Sequence, residues 1–191
     1  MEANKEPAKL LITNAFKKLM IGHDFDKITI KMIADEAGII RPTFYRHFQD
    51  KCDVLEWIVQ TQLIEKAEIL LEGGMNIEAV TFLFNVMLEE RPFYRKAFMV
   101  TGQNGFAEML THKISLLFIK QLDAKALTMP NGNRFLTKEV VAVKYAMDLS
   151  NTLSIWVKNA PSDASAIEAA QAYVWLATHS LIDLFGLDKQ K

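Results

Sequence analysis

Apolar residues recur at helical spacing along most of the chain, and the runs are separated by Gly, Pro and short polar stretches. Over Ala8–Met20, Leu11, Ile12, Ala15, Phe16, Leu19 and Met20 fall on one side of a helix, Lys17 and Lys18 lie away from it, and Gly22 ends it. A second, short helix is predicted over Ile30–Ala37, with Ile30, Ile33, Ala34 and Ala37 on one face, Thr29 as N-cap and Gly38 as the left-handed stop. A third covers Arg41–Phe48, with Pro42 in its first turn, where a missing N–H costs nothing. A long helix follows behind the cap Asp50, running over Asp53–Glu72 to Gly73-Gly74. Further helices are predicted over 76–90, 92–101, 105–126, 137–159 and 163–186, punctuated by Pro92, Gly102/Gly105, Met129–Asn133 and Pro161-Ser162. No segment alternates with period two, so the expected class is all-α.

The third helix is too short to be stable alone. Phe44 and Phe48 point one way and must be seated against neighbouring helices, while Pro42, Thr43 and Arg46 point the other and Tyr45 and His47 flank them. A guanidinium and a hydroxyl with little bulk around them suit a DNA major groove, where Arg bonds guanine and Thr meets base edges or a thymine methyl. Tyr45, His47 and Lys51 would reach flanking phosphates.

Ile33-Ala34, Ala37-Gly38-Ile39, Thr43-Phe44-Tyr45, His47-Phe48 and Lys51 resemble, in order and spacing, the DNA-binding signature of the TetR family of bacterial transcription regulators. The resemblance implies an N-terminal three-helix helix-turn-helix unit (residues 1–51) followed by a larger helical effector-binding and dimerisation domain (52–191). Its base-contacting positions fall on Arg41, Pro42, Thr43 and Arg46, and its phosphate-contacting positions on Thr29, Tyr45, His47 and Lys51. Two residues depart from the pattern: Ile40 stands where a Ser often caps the recognition helix, and Cys52 where Glu is common. The segment Glu89–Tyr94 resembles, more loosely, a subgroup found with dihydroxyacetone kinase operons.

The family's dimer interface would fall on the last two helices, which are apolar over more than one stripe; Leu153, Trp156, Val174 and Leu181 are the candidate contacts. The alternative for these residues is ordinary monomer core. Between the two ends lies a segment dense in aromatic and Met residues, where the family encloses a small-molecule pocket. Trp57, Gln60, Phe84, Met87, Tyr94, Phe98, Phe106 and His112 are the candidate lining, again against a reading as plain core.

Composition changes this picture little. The chain has 191 residues, half of them hydrophobic, and a net charge of −1. Residues 1–51 hold nine Lys and Arg against seven Asp and Glu, leaving thirteen against sixteen for the remainder. That slight basic excess permits a nucleic-acid partner without identifying one. A single cysteine, no apolar run long enough for a membrane span and no signal-peptide core predict a cytoplasmic protein. Cys52, at a helix N-terminus but between Asp50 and Asp53, is a poor redox candidate. The four histidines and the cysteine lack metal-ligand spacing, and no nucleophile elbow, phosphate loop or dinucleotide fingerprint occurs, so neither a metal, a cofactor nor enzymatic activity is expected. The expectation is a ligand-responsive homodimeric regulator, a repressor on a palindromic double-stranded operator; the alternative is a helical adaptor of the same fold with a protein partner.

Overall fold

The structure is a computed structural model, and it describes residues 6–102, 105–124, 134–161 and 163–179. Ten α-helices occur among them: α1 (Glu6–Gly22), α2 (Ile30–Glu36), α3 (Arg41–Tyr45), α4 (Lys51–Val59), α5 (Glu65–Glu72), α6 (Asn76–Glu89), α7 (Arg91–Ala97), α8 (Phe106–Ala124), α9 (Lys138–Asn159) and α10 (Ala166–Thr178). A 3-10 turn at Phe25–Lys27 joins α1 to α2, and a π-helical turn at Gln60–Ile64 joins α4 to α5. No strand occurs among the described residues.

The long helix expected over Asp53–Glu72 is therefore present, but its register breaks at Gln60–Ile64. A π turn adds a residue to one helical turn, and the apolar spacing of the sequence does not reveal it. α3 is shorter than expected: the regular helix ends at Tyr45, and a closing turn, whose Phe48 N–H bonds the Phe44 carbonyl at 3.0 Å, carries Phe48 into the core. α7 ends at Ala97, four residues before its expected end. The last residues expected of α10 lie outside the described residues.

α1 is the hub of the N-terminal end, packing against α2, α4 and α7. Its buried stripe is Ile12, Ala15, Phe16 and Met20, joined by Thr13, whose hydroxyl donates to the Lys9 and Leu10 carbonyls at 3.0 Å each. Leu11, expected on that stripe, is exposed. At about 100° per residue Leu11 falls on the side of the helix opposite Phe16 and Met20, which the core does not reach. At the other end α8 lies along α9, and α6 packs on α10 and α5. One buried cluster runs from Ile12 through Phe44, Leu55, Phe84 and Phe106 to Leu153 and Tyr173. The expected division at 51/52 thus falls in the first turn of α4, whose Val54, Leu55 and Ile58 are shared core. No described helix is long and apolar enough to cross a membrane.

Candidate nucleic-acid interface

The α2–α3 corner is built from local hydrogen bonds that the sequence specifies. Thr29 caps α2, its Oγ1 accepting from the Met32 N–H at 3.2 Å. At the other end Gly38 sits at φ +67°, with the Gly38 N–H bonded to the Asp35 carbonyl and the Ile39 N–H to the Ala34 carbonyl at 2.9 Å. This closes α2 with a paired-bond C-cap that needs a left-handed residue, hence glycine. α3 then starts at Ile40, which gives no side-chain cap, with Pro42 in its first turn. Asp50 caps α4 by accepting from the Cys52 and Asp53 N–H groups, and Asp53 reciprocates by accepting from the Gln49 N–H at 2.9 Å.

Phe44 and Phe48 are buried with their centroids 6.0 Å apart, and Phe48 meets Trp57 of α4 edge-on at 6.1 Å. Burying two Phe side chains seats a helix of five residues that has no stability of its own. What stays outside is polar: Arg41, Pro42 and Arg46 are exposed and Thr43 is half-buried. The Arg46 Nη2 donates to the Thr43 Oγ1 at 3.1 Å, so these two side chains are presented together. Thr29 and Tyr45 are exposed and His47 is half-buried. The surface thus offers two guanidiniums, hydroxyls and a phenol on a rigid apolar base, a donor set matched to phosphate oxygens and guanine edges.

Residues 12–58 match the family described as bacterial regulatory proteins, tetR family. Over those residues the chain is similar to that family's N-terminal, TetR-type domain. Over 94 residues, 47% of this chain, it is 31% identical to the HTH-type dhaKLM operon transcriptional activator DhaS of Lactococcus lactis subsp. lactis (strain IL1403). That match spans 48% of the relative, about half its length. The solved dihydroxyacetone kinase operon activator DhaS superposes with a TM-score of 0.60 at 21% identity, covering 88% of this chain and 93% of the other. The fatty acid degradation regulator FadR from Bacillus halodurans does so at 0.66 and 16%, covering 92% and 96%. At these identities the two structures share the fold. The relative also supports the likeness to the dihydroxyacetone kinase operon subgroup.

One residue of the TetR-type unit is corrected by its surroundings. Lys51, expected at a phosphate, turns inward: its Nζ donates to the carbonyls of Phe25 at 2.7 Å, Asp26 at 3.2 Å and Ile28 at 3.0 Å, and lies 4.5 Å from the Phe25 ring centroid. An ammonium has three N–H donors, and all three are committed. Lys51 clamps the α1–α2 turn to the start of α4. Its partners are backbone carbonyls more than twenty residues upstream, and no side-chain pattern announces them.

Two further lysines tie the TetR-type unit to the rest of the protein, and the sequence signalled neither. Lys17 of α1, placed away from the apolar stripe, is nonetheless covered; it donates to Gln62 of the π turn at 2.5 Å and to Glu90 between α6 and α7, and lies over the Phe93 ring. Burial pushes its ammonium pKa down, and Glu90 opposes that shift. Lys113 of α8 donates to Gln60 of the same π turn at 3.2 Å and pairs with Glu56 at 2.9 Å. The π turn therefore holds one lysine from each side.

The expected pocket residues do not form one site. Phe84, Met87, Tyr94, Phe98 and Phe106 are buried in the central core, with Phe98–Phe106 at 4.8 Å and Tyr94–Phe106 at 6.1 Å. Trp57 belongs to the TetR-type unit, Gln60 to the π turn, and His112 to an open groove of about 410 Å³ between α8 and α9. The Tyr94 hydroxyl is buried with no hydrogen-bond partner among the described residues, and burial raises its pKa. Of the expected dimer contacts, Leu153 is corrected outright: it is fully buried within the subunit, because α9 turns that stripe toward its own core. Trp156 is partly buried against Phe84 and Val174 against the same core, while Leu181 lies outside the described residues. Among the described residues, the uncovered apolar positions on these helices are Val140, Val143, Tyr145, Met147 and Ile155 of α9 and Ile167, Trp175 and Leu176 of α10.

Proposed function

We propose that this chain is a ligand-responsive, sequence-specific DNA-binding transcription regulator and not an enzyme, acting as a homodimer on a palindromic operator. The observation that carries the reading is the uncovered polar face of α3, held rigid by Phe44 and Phe48 inside a matched TetR-type domain. Arg41, Pro42, Thr43 and Arg46 enter the major groove; Thr29, Tyr45 and His47 meet phosphates. Lys51 acts behind them by fixing the turn that leads into Thr29.

One five-residue recognition helix reads too few base pairs for specificity, so a second copy is required. The apolar positions that α9 leaves uncovered, with Val143 and Met147 at their centre and Leu176 of α10 beside them, support a two-fold interface there. The effector binds in the central core, where the Tyr94 hydroxyl has no partner among the described residues and offers one to a ligand. Ligand binding acts by favouring a dimer whose recognition helices are wrongly spaced for adjacent major grooves. The bridges from the π turn to Lys17 and Lys113 carry that rearrangement to α1. The sign of regulation follows from where the operator lies: repression where it overlaps a promoter, activation, as named for the relative DhaS, where it lies upstream.

Selection of binding sites from random double-stranded DNA tests the reading. Enriched sequences should form an approximate palindrome with half-site centres about one helical turn, or a small multiple, apart. No enrichment, together with co-purification of a protein partner, would favour the adaptor instead.

A further inference from the structure

We propose that Ile40 reads a thymine in each half-site, packing its side chain on the C5-methyl group at the floor of the major groove. The inference rests on the DNA-binding reading above.

Ile40 is the N-cap of α3, with extended backbone (φ −88°, ψ 152°) and its carbonyl accepting from the Thr43 N–H at 2.9 Å and the Phe44 N–H at 3.3 Å. Its side chain contributes nothing to the cap, which a Ser, Thr or Asp would strengthen. Nor does it contribute to the core. Ile39 is packed against the buried cluster, whereas Ile40 is 69% exposed. Between Thr29 and Lys51 the other large apolar side chain left exposed is Tyr45, which has a polar end.

Position gives that exposure a partner. Recognition helices approach base edges with their N-terminal residues. An N-cap side chain stands beside the first turn, here Arg41, Pro42 and Thr43, the residues assigned to the bases. The thymine C5-methyl is the apolar group that the major groove presents, and contact with it separates T·A from C·G pairs. A β-branched chain is stiff at χ1, so it is held in place at little entropic cost. Ile40 thus forgoes a cap and presents an apolar surface next to the base-reading residues.

Replacing each thymine of the selected operator in turn by deoxyuridine removes the methyl and leaves pairing intact. The unmodified protein should lose about fourfold in affinity at one thymine per half-site, the worth of burying one methyl-sized group, and about fifteenfold when both half-sites are changed. Ile40→Ser should lose that sensitivity at that position alone while its melting temperature stays equal or rises, because serine supplies the missing cap. Unmodified protein that tolerates deoxyuridine everywhere, or Ile40→Ser that keeps the same sensitivity, overturns the proposal. Failure to select any operator overturns the DNA-binding reading and this inference with it.

Discussion

The outer faces of α3 and α9 are both open to solvent, and they are left open for opposite reasons. α3 commits its two large apolar side chains, Phe44 and Phe48, to the interior and turns guanidiniums and a hydroxyl outward. α9 places Ala142, Ala146, Leu149, Leu153 and Val157 in the interior, and still has Val140, Val143 and Met147 outside. A cationic, hydrogen-bonding surface on a rigid base suits a polyanion. A second apolar stripe on a helix that already has one suits another protein surface. Exposure alone does not separate the two faces. The chemistry left over once the core is closed does, and it supports the proposal of DNA at one end and a second subunit at the other.

That assignment is most vulnerable at α9. Met147→Asp should give a monomer by sedimentation velocity and lower operator affinity by more than about a hundredfold, since each half-site would be bound alone. Leu153→Ala, on the same helix but turned inward, should leave the subunit count unchanged and cost about 2–5 kcal/mol of unfolding free energy. If Leu153→Ala were instead the variant that separates subunits at full stability, the two faces of α9 have been exchanged.

At the DNA-binding end, Lys51→Met distinguishes a structural cation from a phosphate ligand. With its three carbonyl partners released, the α1–α2 turn should loosen, lowering stability by roughly 1–3 kcal/mol and weakening binding to all sequences. The slope of log affinity against log salt should stay the same. A slope flatter by about two, equivalent to one phosphate fewer neutralised by each subunit, would return Lys51 to the backbone of the DNA. The smallest effect is expected in the core. Tyr94→Phe removes a buried hydroxyl without a partner among the described residues and should raise stability by about 1 kcal/mol, while blunting the response to whichever effector releases the operator. Loss of stability would mean that the hydroxyl is already satisfied.

Much of this architecture was legible in the chain because it is encoded locally. Thr29, Gly38 and Asp50 mark helix ends through hydrogen bonds to residues within four positions, and the Phe44/Phe48 spacing names the buried side of α3 without reference to anything else. What stayed hidden depends on distant partners. Lys17 and Lys51 look like surface cations until α6, α7 or the α1–α2 turn is folded over them. The π turn is invisible to an apolar periodicity that continues on both sides of it. On α9, apolar residues line two faces, so spacing alone could not tell Leu153, which is inside, from Met147, which is outside.

Everything said of the operator depends on the outward face of α3 reading base edges, and Arg46→Ala puts that to the test. Arg46 is exposed, bonded to Thr43 and remote from the Phe44/Phe48 core, so the variant should fold as the parent does. Titration against the selected operator and a set of its single-base-pair variants should show a loss of about 1–3 kcal/mol per base contact and relaxed discrimination at one position in each half-site, with all other positions read as before. Equal losses on every sequence, or no loss on any, would contradict it.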